Sequence, residues 1–327
     1  MNAQAHVFSA VHAPPMPIAR VAACVCTHSR PQMLARCLAS IAAQDFGRDT
    51  HLTVIVVDNE PTPANRVAVT EFAASCPFAV RYVHQPRRGI AVARNAALDA
   101  AMAARADWIA FIDDDEIAAP GWIVALLAEE YRGTAILLGE VRHQMPTPVP
   151  FWTVAKRPGR RVEGEHCATG TTGNVRISAD VVRAGLRFDE TLGLMGGEDN
   201  ELFTRAGRAG FKMRRTYRAV VVEDAHPARC TYRGQIYRSF WCAASDMRRV
   251  AITRGWPLAI LAKAHTIPAS IICGAVELAI GPLYALASVG AFKRRALSGG
   301  KKIAKGCGRF VAMIGRLPKP YANISGN

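Results

Sequence analysis

Three consecutive carboxylates, Asp113, Asp114 and Asp115, follow the apolar run Trp108-Ile-Ala-Phe-Ile112. Acidic side chains at the tip of a buried strand are costly unless something positive neutralises them. Their oxygens suit a hard divalent cation, Mg2+ or Mn2+, of the kind shared with substrate phosphates. In extended backbone Asp113 and Asp115 would face one side and Asp114 the other, leaving the outer pair for the metal, its water or a ribose hydroxyl. The plainer alternative is that Asp114 or Asp115 caps a following helix.

A second acidic group lies about eighty residues on, in Gly196-Gly-Glu-Asp-Asn-Glu201. The glycines permit close backbone approach or unusual φ. Glu198 and Asp199 open a helix whose dipole favours their charge. Beside a metal site, a carboxylate there is a candidate general base; alone, the motif is a hinge and an acidic first turn. Arg94, early in the helix after Gly89, offers a guanidinium to phosphate or carboxylate. His226, in Glu223-Asp-Ala-His226, offers a metal ligand or a phosphate contact, although a lone histidine is more often structural. No Gly-x-Gly-x-x-Gly follows any strand, which argues against a dinucleotide fold.

Regular elements must hold these groups. Val21–Thr27, Leu52–Val57, Val80–Val83 and Trp108–Ile112 read as buried strands. Between them lie helical stretches at Pro31–Ile41, with Ser29 as N-cap, at Ala64–Ser75 and at Ile90–Ala104. This alternation predicts a parallel sheet covered on both faces. The polar groups Thr27, Asp58-Asn59 and Asp113–Asp115 all follow strands, where open α/β sheets bind ligands. Later, Gly121–Tyr131, Glu198–Ala209 and Tyr232–Arg249 read as helices, Ala135–Val141 and Arg215–Val222 as strands, and 156–173 as a mobile loop.

Of 327 residues, 50% are hydrophobic and 20% charged, enough for a sizeable core. The net charge of +15 is concentrated at the end: nine basic residues lie between Lys293 and Lys319, and no acidic residue follows Glu277. Trp256–Phe292 is apolar but interrupted by Pro257, Lys263, Pro268, Glu277 and Pro282. A basic tail beside such a stretch points to an anionic membrane surface, with a hairpin or interfacial helices favoured over one crossing. A helical subdomain in water is the alternative. Nucleic acid is disfavoured because aromatic and basic residues do not interleave there. Nine cysteines without metal or disulfide spacing favour a reducing cytosol, and prolines interrupt residues 1–20, which do not read as a signal peptide.

In order and spacing, Val25-Cys-Thr-His-Ser-Arg-Pro31, Val56-Val-Asp-Asn59, Gly89 through Ala93-Arg-Asn95, Phe111-Ile-Asp-Asp-Asp115, Gly173-Asn174 and Gly197-Glu-Asp199 with Arg205 resemble a family 2 glycosyltransferase of the GT-A fold. The resemblance is greatest to bacterial exopolysaccharide enzymes of the succinoglycan glucosyltransferase kind and covers roughly residues 20–250. It implies a Rossmann-like α/β fold with a mostly parallel central sheet. The domain would run over 20–230, after a flexible extension over 1–19 and before an apolar, basic helical region over 231–327.

The resemblance also implies roles. Thr27 and Asp58 would contact base and ribose, Arg94 would lie near the uridine or phosphates, and Asp113 and Asp115 would form the Asp-x-Asp pair with Asp115 the direct metal ligand. Asp114 would border the substrate, and Gly173-Asn174 would line the sugar pocket. Asp199 would be the base and Glu198 would hold the acceptor, with His226 near a metal-binding position of some relatives. Mg2+ or Mn2+ is the implied cofactor. A UDP-sugar is the implied donor and a glycan or polyprenyl-linked hydroxyl the acceptor, at the cytoplasmic face of the inner membrane. The rival expectation is a catalytically silent sugar-nucleotide-binding or scaffold protein.

Overall fold

The computed structural model describes residues 19–47, 49–145, 148, 161–225 and 230–318. The extension expected over 1–19 falls outside them except for Ala19, as does His226.

The first half alternates as expected. Strands β1 (Ala19–Thr27), β2 (Thr50–Asp58), β3 (Ala79–His84) and β4 (Trp108–Ile112) are separated by helices α1 (Pro31–Ala42), α2 (Arg66–Ser75) and α3 (Ile90–Ala103). Side chains alternate across each strand, so apolar runs feed two cores. Cys24, Ile55, Ile109 and Phe111 pack with Ala97 and Leu98 of α3; Val25, Val56, Ala110 and Ile112 pack with Leu34, Leu38 and Ile41 of α1.

The second half adds β5 (Glu116–Ala118), β6 (Ile136–Gln144), β7 (Asn174–Ser178) and β8 (Met213–Asp224), giving the sheet order β3-β2-β1-β4-β7-β6-β8-β5. The block β3-β2-β1-β4 is parallel, as is β6 with β8, whereas β4–β7, β6–β7 and β5–β8 are antiparallel. The sheet is therefore mixed, and the strict strand–helix alternation stops at β4. Register then sets the site: Ile112 lies opposite Asn174, Glu116 opposite Glu223, and Glu223 opposite His143.

Several local expectations are corrected. Ser29 does not cap α1; Arg30 holds that position without a side-chain cap, and Ser29 sits at φ 56° with its hydroxyl on Glu60. The expected helix over Gly121–Tyr131 is two short pieces, α4 (Trp122–Leu126) and a 3-10 turn at Glu129–Tyr131. The described part of the expected mobile loop, 161–173, is tethered. Glu163 there accepts hydrogen bonds from Tyr131, Thr216 and the Tyr217 backbone N–H, and His166 bridges Arg214.

Helices α5 (Ala179–Arg183) and α6 (Glu198–Arg208) connect β7 to β8, after which the chain leaves the sheet as a helical layer: α7 (Tyr232–Arg254), α8 (Trp256–Lys263), α9 (Thr266–Ile280), a 3-10 turn (Gly281–Leu286) and α10 (Val289–Met313). Helix α10 is wedged between α7 and α9 along glycines. A Cβ on Gly299 would meet the Gly274 carbonyl at 2.8 Å, and one on Gly308 would collide with the Phe240 carbonyl.

Candidate active site

The carboxyl ends of β1 and β4, the start of α6 and one face of α7 enclose a cavity of about 650 Å3. That is ample for a nucleotide-sized ligand. Thr27, Arg94, Asp113, Asp114, Asp115, Gly173, Glu198 and Asp199 all line it, so residues 87 positions apart in sequence share one cleft.

The three aspartates do not alternate. β4 ends at Ile112, and the Glu116 backbone N–H returns to the Asp113 carbonyl at 3.1 Å, closing a turn. An extended chain would separate Asp114 from its neighbours; the turn instead directs Asp114 and Asp115 to one guanidinium. Arg30 donates to Asp114 Oδ1 at 3.0 Å and to Asp115 Oδ2 at 2.8 Å. Thr27 donates to Asp114 Oδ2 at 2.8 Å. The turn leads into strand β5 rather than a helix, so neither aspartate is a helix cap. Asp113 turns to Arg94 at 3.1 Å. Arg94 also donates to Glu198, and so ties the turn to α6.

Negative charge exceeds the positive charge built around it. Asp113, Asp114 and Asp115 pair with Arg30 and Arg94, and Glu116 adds a fourth carboxylate held on the Asp113 backbone N–H. Burial pushes Asp114 up to about 7, although Arg30 pulls the other way. Burial likewise holds the Glu116 carboxyl well above the usual range, reinforced by Asp113. At the start of α6, burial raises Glu198 and Asp199, with Arg94 opposing. Arg94 itself is raised; burial disfavours its charge, but Asp113, Glu198 and Asp199 outweigh it. Such an excess of hard oxygens fits a divalent cation. Among the described residues no group of three metal-ligating side chains is preassembled. The set therefore suits Mg2+ or Mn2+ bound through one or two carboxylates, with substrate phosphate oxygens completing the shell.

Other expected residues sit differently. Asp58 is fully buried and does not line the cavity; Asn65 and Tyr82 occupy its carboxylate through hydrogen bonds of 2.7–3.1 Å. Its neighbour Asn59 lines the cavity and holds the Arg87–Gly89 turn through Arg87 O and Gly89 N–H. Asn174 lies behind the wall, its amide spent on Trp122 Nε1, Glu140 O and Ala219 O. Gly173 is in the wall itself, where a Cβ would come within 2.6 Å of Glu116 Oε1.

Sequence reasoning misses three contributors. Arg30 has no role there beyond its place in the Val25–Pro31 motif. His143 lines the cavity and pairs with Glu223 at 3.0 Å, a placement that depends on β6–β8 register. Helix α7 presents Arg238, Trp241, Ser245 and Arg249 at helical spacing. The site thus extends past the domain boundary expected at residue 230. The signal available is the spacing of those residues on a helix that the sequence itself predicts.

The mixed sheet with this cleft at its strand ends is an α/β fold of the GT-A kind. Residues 22–182, just under half of the chain, match the glycosyl transferase family 2 model. The succinoglycan biosynthesis protein ExoM of Rhizobium meliloti (strain 1021) is 37% identical over 195 residues, 57% of this chain and 60% of that protein. The chain thus matches less than two thirds of that relative's length. A mannosyltransferase of Pyrobaculum calidifontis, solved with GDP-Man and Mn2+, superposes with a TM-score of 0.59 at 19% identity, over 93% of this chain and 91% of that one. TarS of S. aureus superposes at 0.50 with 15% identity, over 72% of this chain and 44% of that one. These two likenesses concern the fold.

Proposed function

We propose that the protein is an inverting, metal-dependent glycosyltransferase in cell-surface polysaccharide synthesis. It would move a sugar from a nucleotide-diphosphate donor, a UDP-sugar by the resemblance, to a hydroxyl of a glycan or lipid-linked acceptor. One observation carries the reading: Asp113, Asp115 and Asp199 line the same cavity, where Arg94 bridges Asp113 to Glu198 at the start of the helix that carries Asp199.

Asp199 takes the proton of the acceptor hydroxyl. The freed oxygen attacks the anomeric carbon opposite the leaving group. The bond to the diphosphate oxygen breaks with its electron pair, and nucleoside diphosphate departs. One displacement inverts configuration and uses a single carboxylate as base, whereas a glycosidase flanks the bond with two. Charge building on the departing diphosphate is what Mg2+ or Mn2+ held by Asp115 and Asp113 would neutralise. Arg94 holds Asp113 and Glu198 in register, and Glu198 borders the acceptor. Thr27 and Arg30 fix Asp114 beneath the donor. Gly173 leaves the space a Cβ would fill. The apolar stretch Trp256–Leu286 supports membrane association, and with it a lipid-linked acceptor.

A screen of UDP-, GDP- and dTDP-sugars with Mn2+ or Mg2+ tests the reading. Metal-dependent release of nucleoside diphosphate is expected, and a product whose anomeric configuration is opposite to the donor's. Retention of configuration, or no release with any donor while the nucleotides still bind, contradicts it.

A further inference from the structure

Helix α9 is inverted relative to a water-soluble helix. Its buried residues are Gly274 and Glu277, while Ile271, Ile272, Val276 and Leu278 are exposed. Glu277 turns inward, where its Oε1 pairs with Lys302 at 2.8 Å and Arg295 at 3.4 Å from α10. The outward apolar face continues through Leu258 and Leu261 of α8 and Leu283 and Leu286 of the following turn, the last 87% exposed. Single exposed leucines need no explanation; a helix that buries its charge and exposes its aliphatics, flanked by further exposed leucines on both sides, does.

Among the described residues, Trp256–Leu286 is the one helical stretch long and apolar enough to cross a bilayer, and 17% of its most apolar window is buried. Its packing opposes a crossing. Helix α9 runs antiparallel along α10, with Gly274 against Gly299, Ile271 against Gly306 and Ser270 bonded to Arg309. A perpendicular α9 would carry Lys301, Lys302, Lys305 and Arg309 of α10 to hydrocarbon depth, where each charge is expensive. On the far side of α10, α7 holds the cavity wall, and it would be drawn in as well.

We infer that the protein docks on an anionic lipid leaflet in plane, through the outward face of α8, α9 and the Gly281–Leu286 turn, without spanning the bilayer. The exposed cations Lys293, Arg294 and Lys305 on α10 supply the charge complementarity. An in-plane helix sinks its apolar face roughly 5–10 Å into the headgroup boundary. Two helix layers of 8–10 Å each then set the cavity on the order of 20 Å above the leaflet. Lipid docking is independent of the proposed chemistry, because its readout is lipid binding and depth.

The test uses the full chain with preformed vesicles of phosphatidylcholine alone or with 30% phosphatidylglycerol. Binding is expected to favour the anionic vesicles. Ile272→Glu with Val276→Glu is expected to weaken it at least 10-fold, and Lys293→Ala with Arg294→Ala by roughly 25-fold, about fivefold per charge. Spin labels at positions 261, 272 and 283, with Cys242 and Cys273 replaced by serine, should read equal, shallow depths. Unchanged thermal unfolding checks that these surface variants remain folded. The inference is overturned by a label at 272 near mid-bilayer with 261 and 283 shallow, which indicates a crossing. Equal binding to both vesicles overturns it too, as does a concentration-dependent dimer without lipid that the Ile272 and Val276 changes dissolve.

Discussion

Arg94 and Glu198 lie 104 residues apart and meet inside the cleft, where the guanidinium donates to the carboxylate while its other nitrogen reaches Asp113. This contact holds the aspartate turn against the helix that carries Asp199. Arg94→Lys keeps one charge but loses the planar fork. Turnover with a nucleotide-sugar is expected to fall about 100-fold, as when a preorganised donor is lost. Arg94→Ala would also leave Glu198 buried and unpaired, lowering stability by about 3–5 kcal/mol in chemical denaturation.

Asp114 gives the fold a pH signature. Its carboxyl is pushed from an ordinary 3.8 up to about 7, so between those values the folded chain holds a proton that the unfolded chain releases. Stability from this group is complete below pH 3.8 and falls as pH rises to about 7. Asp114→Asn removes the dependence. Measured in a chelator, the variant's stability relative to wild type should rise by roughly 4 kcal/mol across that window. A flat difference would remove the assigned cause.

Gly173 sets the width of the site. Gly173→Ala places a Cβ within 2.6 Å of Glu116 Oε1 and 3.3 Å of Asp113 Oδ2. Glu116 is buried and anchored to the Asp113 backbone N–H, so it cannot simply swing away. The expected outcome is a cost of about 1–3 kcal/mol in stability. Titration with Mn2+ should show weaker metal-dependent nucleotide binding.

Arg176 is a buried cation without a carboxylate partner among the described residues. It donates to the carbonyls of Leu126, Tyr131 and Thr134 and stacks 3.8 Å from the Trp108 ring; burial lowers it to about 9. Arg176→Leu strands three carbonyls. A loss of about 3 kcal/mol or more in denaturant unfolding is expected, without a change in nucleotide affinity for the protein that remains folded.

The parallel block is legible because buried strands of β-branched and small residues alternate with short amphipathic helices, as at Leu52–Val57 and Leu34–Ile41. Asp113, Asp115 and Asp199 are legible because charge at the end of an apolar strand or the start of a helix announces itself locally. The features hidden from sequence depend on pairing between distant segments. Whether β7 runs against β4 is decided by the long excursion between them, and it buries Asn174 behind the wall while leaving Gly173 in it. The pairing of Arg30 with Asp114 and Asp115 depends on a turn that alternation could not foresee. The helical spacing of Arg238, Trp241, Ser245 and Arg249 is present in the sequence, but that this helix lies over the strand ends is a contact between distant segments.

The most direct test separates binding from chemistry in two folded variants assayed with the donor the wild type uses. Asp199→Asn should bind nucleotide-sugar and metal normally and lose about 100-fold or more in kcat, the scale of a general base. Asp115→Ala should instead lose metal-dependent donor binding. Sugar transfer near the wild-type rate in Asp199→Asn, with donor affinity intact, would contradict the assignment of that carboxylate as the base.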